Sequence, residues 1–191
     1  MDISWYTEKQ LKDIGFGSVG KNVFISKKVS IYGPENIFIG NNVRIDDYCI
    51  LASSKGKLLL EGYNHIAAFS YINSVGSVTM KMFSGIASRC SVYSGSENYD
   101  GSFLTNPTVP LEFTSITTKP IYIGKHVVVG TNSTILPGCD INDYSSVGAF
   151  SLVTKSIPEG KMAKGIPAKV YRDRNIIKLK ELEDLLFVGE K

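Results

Sequence analysis

The chain is poor in the residues that build metal centres and covalent staples. Its 191 residues include two histidines, three cysteines and one tryptophan. Two imidazoles per chain fall short of the three that a His₃ zinc site needs. Three is an odd number of cysteines, and Cys49, Cys90 and Cys139 lack metal-ligand spacing. Neither a closed disulfide framework nor a thiolate zinc site is therefore expected, and no metal is assigned. No apolar run reaches the length of a membrane span, and the start, MDISWYTEKQ, is polar with no visible secretory leader. The expectation is a soluble, cytoplasmic protein. The net charge is only +3, without a basic stripe interleaved with aromatics, so nucleic acid is not an expected partner. Helical periodicity is missing between the apolar segments of the body, which excludes an ordinary right-handed βαβ arrangement.

What is present is a repeat. With 43% apolar and 20% charged residues the composition is that of one globular domain. From Ile121 to Pro158 the chain divides into six-residue steps headed by Ile123, Val129, Ile135, Ile141, Val147 and Val153. The fifth slot of each step is small or apolar: Val127, Ser133, Cys139, Ser145, Ser151 and Ile157. The same step recurs upstream from heads Val19, Ile25, Ile31, Ile39, Ile45, Leu51, Leu60, Ile66, Ile72, Met80, Ile86 and Val92, with short insertions between some of them. A fixed six-residue period marks an all-β fold, a parallel β-helix. The heads stack from coil to coil to fill the lumen, the fifth residue shares it, and Gly, Asn and Asp suit corners of unusual φ/ψ. All three cysteines fall in the fifth slot and read as small core hydrophobes.

The flanks follow from this frame. Thr7-Glu8-Lys9-Gln10 has the form of a capping box opening a short helix that ends at Gly15. Trp5, Leu11, Ile14 and Phe16 would pack this N-terminal cap, residues 1–18, onto the first coil. The β-helix is expected over 19–158, interrupted by one long loop at 98–120, NYDGSFLTNPTVPLEFTSITTKP. Long irregular loops in compact domains are usually functional. The C-terminal extension, 159–191, carries a helix from about Asn175 to Val188. Ile176, Leu179, Leu182, Leu185 and Leu186 would pack it on the solenoid or on a neighbour.

Together, the ladder, the loop launched after VYSGSE and the ending IGKHVVVGTNSTILPG…VGAFSLVTKSIPEGKMAKGIPAKV resemble the hexapeptide-repeat acyltransferases over nearly the whole chain. The branch it resembles is that of the galactoside- and maltose-type sugar acetyltransferases. The phrases NHIAAFSY and SGSENYDGSFLTNPTVP are more similar still to members serving surface-polysaccharide synthesis. The resemblance, not the periodicity, implies a left-handed helix, a homotrimer, acetyl-CoA as donor and clefts between subunits as active sites. It also implies that acyl-CoA lies beside Thr131, Ala149, Thr154 and Lys155, with Lys164, Lys169 and Arg172 meeting its phosphates as cations. The plain alternative is that Thr131 and Ala149 are small corner residues and the basic ones a solvated face.

The galactoside-type enzymes carry a general-base histidine where the loop begins. Here the counterpart is about Glu97, in VYSGSENYDG. Such a base is worth about 10²–10⁴ in rate. His65, on the coil next to the one that launches the loop, is the first candidate for it. His126, expected at an exposed corner, is the runner-up, and Glu97 and Asp100 are carboxylate alternatives. A chemical answer is an amine acceptor, which keeps a free-base fraction near neutral pH and can lose its proton to the departing thiolate. Asn98, Tyr99, Asp100 and Asn106 would then supply contacts to the acceptor, and Tyr93, Phe103 or Tyr71 could stack on a ring, although each of these residues could equally serve loop packing.

The reading is an acetyl-CoA-dependent sugar acetyltransferase that N-acetylates a nucleotide-linked deoxy amino sugar (perosamine-like, for example) bound for O-antigen or capsule. The alternatives are O-acetylation of a sugar hydroxyl, a γ-type carbonic anhydrase and a non-catalytic structural β-helix.

Overall fold

The structure, a computed structural model, describes residues 4–188. After helix α1 (Glu8–Ile14), the first coil comprises β1 (Ser18–Val19), β2 (Phe24–Ile25) and β3 (Ser30–Tyr32). The next three are β4 (Ile37–Asn41), β5 (Arg44–Ile45), β6 (Ile50–Ala52); β7 (Leu58–Gly62), β8 (His65–Ile66), β9 (Tyr71–Asn73); and β10 (Val78–Met80), β11 (Gly85–Ile86), β12 (Ser91–Tyr93). The hairpin β13 (Gly95–Glu97) and β14 (Ile116–Thr118) then projects outward. The solenoid resumes with β15 (Ile121–Ile123), β16 (Val128–Val129), β17 (Thr134–Ile135), β18 (Ser146–Val147), β19 (Leu152–Val153) and β20 (Lys161–Lys164). β21 (Lys169–Asp173) pairs antiparallel with β20, and α2 (Ile177–Val188) follows.

The strands form three parallel faces of a left-handed β-helix of about seven turns. The first face runs β1-β4-β7-β10-β15. The second runs β2-β5-β8-β11-β16-β18-β20, and the third β3-β6-β9-β12-β17-β19. The register aligns the predicted heads: Ile25, Ile45, Ile66, Ile86, Val129 and Val147 are lateral neighbours in one row. These heads and fifth-slot Val43, Cys49, Ser70, Cys90, Ser133 and Ser145 are buried, so the lumen is one continuous apolar stack with small side chains beside it. Burying each such aliphatic contributes about 1.5–3 kcal/mol.

The cap forms as its sequence indicates. The Thr7 hydroxyl accepts from Gln10 N–H at 3.3 Å, Thr7 N–H donates to Gln10 Oε1 at 3.0 Å, and Gly15 closes the helix at φ 86°.

The corners differ from expectation. Besides Asn22, Asn42 and Asn132, the left-handed positions hold Tyr63, Phe83, His126 and Tyr144 at the first corner and Tyr48, Phe69, Arg89 and Phe150 at the second. Left-handed backbone costs an L-residue about 1–2 kcal/mol. The corner amides nevertheless donate to the coil below, as from Tyr63 to Asn41 O (2.9 Å) and from Tyr144 to Lys125 O (2.7 Å). Stacking the corner side chains on one another supplies a further offset: Phe83 lies 4.8 Å from His126, which lies 5.3 Å from Tyr144.

Helix α2 covers that first-corner stack. Its inward stripe is Leu179, Glu183 and Phe187, while Leu182, Leu185 and Leu186 remain exposed. Phe187 meets Tyr63 edge-on at 6.2 Å, and Glu183 bonds Lys125 at 2.5 Å and His126 at 2.8 Å. Arg174 ties the approach to α2 by donating to the carbonyls of His126 (2.7 Å) and Ser145 (2.8 Å). Of the apolar face read from the sequence, Ile176 and Leu179 are part-buried, whereas Leu182, Leu185 and Leu186 are not laid on the solenoid. Among the described residues no helix is long and apolar enough to cross a membrane.

Candidate active site

The second face carries a linked array of His65, Asp46 and Arg44. His65 opens β8, and its side chain is 51% exposed. Register places it between Arg44 and Gly85, so one neighbour is a cation and the other has no side chain. Its Nε2 lies 2.8 Å from Asp46 Oδ2, and Arg44 Nε donates to Asp46 Oδ1 at 2.7 Å. Burial pushes the Asp46 carboxyl upward, but the hydrogen bonds from Arg44 and His65 outweigh it and hold the carboxyl below the ordinary range. An ionised Asp46 fixes the ring by accepting from Nε2–H, which leaves Nδ1 as the nitrogen available to take a proton. Neither Asp46 nor Arg44 was identified from the sequence. The signal was there: Arg44 and His65 are one coil apart, and outward residues one coil apart are neighbours on the same face.

His126 is not the exposed corner residue anticipated. Its side chain is 10% exposed, sandwiched between Phe83 and Tyr144 and bonded to Glu183. It pins α2.

The loop leaves from the third corner, after Tyr93, across the prism from the second face. Tyr93 leans on Tyr71 at 5.3 Å, forming a ring pair at the loop's root. Several of the loop's polar residues hold its own turns. Glu97 Oε2 accepts from Asn106 N–H at 2.9 Å, and Asn98 Oδ1 from Asp100 N–H at 3.0 Å. Asp100 Oδ1 accepts from Ser102 N–H at 2.8 Å, and Asn106 Oδ1 from Thr108 N–H at 3.1 Å. The bonds from Ser102 lower the Asp100 carboxyl, making it a weaker base. Tyr99 is 89% exposed, and Phe103, Leu104 and Phe113 of the same loop are exposed as well. Within one chain these residues and His65 belong to different sides of the prism.

The expected coenzyme residues separate into two groups. Thr131 and Ala149 occupy equivalent places on the second corner, one coil apart, and Thr131 Oγ1 donates to Ser88 O at 2.6 Å. A Cβ on Gly148 would stand 3.0 Å from the Cβ of Lys164, so the glycine seats Lys164 beside Ala149. Lys164 and Lys169 pair across β20–β21, Lys164 Nζ lies 4.6 Å over the Tyr171 ring, and Arg172 Nε contacts Met162 Sδ at 3.2 Å. The GIPA segment folds back onto the third face, with Leu152 N–H donating to Gly165 O (3.0 Å) and Ala168 N–H to Leu152 O (2.8 Å). Thr154 and Lys155 lie beyond, exposed at the third corner. The two groups flank the outer side of β17 and β19.

This architecture has known counterparts. The signature of the bacterial transferase hexapeptide (six repeats) family matches residues 120–155. A dTDP-4-amino-4,6-dideoxy-D-glucose acyltransferase of Escherichia coli is 43% identical over 183 residues, covering 96% of this chain and 95% of that protein. The chain belongs to the hexapeptide-repeat transferases. As such a transferase it is an acyltransferase, not a passive structural solenoid. AntD, an N-acyltransferase from Bacillus cereus solved as a variant with dTDP-4-amino-4,6-dideoxyglucose and coenzyme A, superposes with a TM-score of 0.93 at 41% identity. The match covers 97% of this chain and 98% of that one. Likeness of this transferase to the galactoside O-acetyltransferase of Escherichia coli K12 is confined to 56 residues at 46% identity, covering 29% of this chain and 28% of that protein.

Proposed function

We propose that this transferase moves an acetyl group from acetyl-CoA to the amino group of a dTDP-linked 4-amino-4,6-dideoxy sugar destined for a surface polysaccharide. The observation that carries this reading is near full-length similarity to an acyltransferase named for that acceptor and to AntD bound to it. The absence of a loop histidine, with Glu97 in its place and bonded to Asn106, supports an amine over a hydroxyl acceptor.

The acceptor amine, as free base, attacks the thioester carbonyl. Polar donors stabilise the resulting oxyanion. The C–S bond breaks, the amide forms, and the amine's proton passes to the thiolate or to His65, which Asp46 holds in place. Thr131, Ala149, Thr154 and Lys155 line the donor's path, and Lys164, Lys169 and Arg172 face its phosphates. Tyr93, Asn98, Tyr99, Asp100 and Asn106 approach the acceptor from the loop of a neighbouring copy in a homotrimer, which brings together what one chain keeps apart. The reaction belongs in the cytoplasm, where both nucleotide substrates are made.

Thiol release from acetyl-CoA, measured against amino-sugar nucleotides and neutral glycosides, tests this. Turnover only with the amino-sugar nucleotide is the expected outcome. Turnover with neutral glycosides would replace N-acyl by O-acyl transfer.

A further inference from the structure

The two ladders of left-handed side chains have different fates. At the first corner, Tyr63, Phe83, His126 and Tyr144 lie under α2. At the second corner, Tyr48, Phe69 and Phe150 stay 51%, 52% and 64% exposed. Tyr48 and Phe69 stack at 5.0 Å, 18° between planes, and the Arg89 guanidinium lies over Phe69 at 5.4 Å from the ring centre. Lys28 sits over Tyr48 at 5.2 Å, but its charge is committed to Asp47 at 2.8 Å. Arg89 has no carboxylate partner among the described residues.

This ladder continues the line of Thr131 and Ala149. Along the second corner the outward positions are Asp47, Ala68, Ser88, Thr131 and Ala149, each followed by its ladder residue. Successive coils are about 4.8 Å apart. The proposed donor occupies the last coils, its phosphates at the C-terminal end with Lys164, Lys169 and Arg172. Its thioester end therefore points toward Ser88 and Arg89.

From that order we infer that the open ladder is the subsite for the nucleoside diphosphate of the acceptor, with Arg89 clamping the diphosphate and the rims of Phe69 and Tyr48 carrying the base. This rests on the acyl-transfer reading above and deepens it. The connectivity of the acceptor fits: the amine-bearing sugar meets the thioester, the diphosphate follows the sugar, and the base follows the diphosphate. An unpaired guanidinium suits two phosphates through its planar fork. The rings, already stacked on each other, offer their exposed edges to a base. Coenzyme A also contains a nucleoside diphosphate, so the occupant must be told apart by experiment.

The test is calorimetric binding of dTDP and, separately, of coenzyme A to the wild type and to Arg89→Asn, which keeps a residue tolerant of left-handed φ. Phe69→Leu serves as a second variant, and thermal melting confirms that each is folded. The expected result is dTDP binding weakened at least tenfold in Arg89→Asn and severalfold in Phe69→Leu, with coenzyme A binding unchanged. Equal dTDP affinity in the wild type and both variants overturns the subsite while leaving the transfer reading intact. A loss of coenzyme A binding instead reassigns the ladder to the donor and overturns the inference. Failure of the wild type to bind dTDP, with no turnover of the dTDP-sugar, sinks both the subsite and the transfer reading.

Discussion

At the scale of single residues, the lumen leaves little freedom. Ile66 is fully buried between Ile45 and Ile86, so Ile66→Ala is expected to cost about 2–5 kcal/mol in a denaturant titration. Cys49 is equally buried, and burial pushes its thiol up to about 11. A thiol reagent at pH 8 should leave Cys49 unmodified in the native protein and label it after unfolding. His65 is a different case, because its role depends on the acceptor. With an amine acceptor, His65→Ala should lower kcat by less than about tenfold; a loss of about 10²–10⁴ in steady-state rates would make it an indispensable base. Asp46 escaped a reading along the chain because its contact with His65 crosses two coils and joins residues 19 apart, and Arg44 escaped it because its role is only to hold Asp46. The corner aromatics escaped it because residue preference alone disfavours them at positive φ.

At the scale of elements, α2 is the part most open to perturbation. Its inward stripe has one aromatic, one aliphatic and Glu183. Burial pushes the Glu183 carboxyl up, but bonds from Lys125 and His126 outweigh this and hold it below the usual range. A folded-state pKa lowered in this way stabilises docking fully above the ordinary glutamate value, and that stability is lost as pH falls through the lowered one. Helix α2 should therefore stay protected at pH 6 and lose protection below about pH 4, with the coils still protected in hydrogen exchange. Glu183→Gln should expose the same amides at neutral pH. The helix itself was readable from its spacing, ending at Val188 and beginning two residues later than expected. The face it uses was readable only in part: Ile176 and Leu179 are part-buried as expected, but Leu182, Leu185 and Leu186 promised burial and Glu183 and Phe187 received it.

At the scale of the whole molecule, the loop and His65 occupy opposite sides of one prism, and the proposed reaction needs a second copy to join them. Sedimentation should give three copies of the 20.9 kDa chain, and removing residues 99–115 should lower both assembly and transfer. The sequence by itself determined the coils, their lateral register and the buried row. A six-residue period with apolar heads has one way to bury them all, and pairing each head with the next is a local consequence of that period. What only the tertiary structure decided is which outward residues meet. Closing each coil into a triangle sets Asp46 against His65, aligns Arg89 with Phe69 and carries Glu183 to His126. Those contacts depend on how many residues each turn inserts and on where the C-terminal helix returns, and a periodic pattern of hydrophobic burial carries no energy term that specifies either.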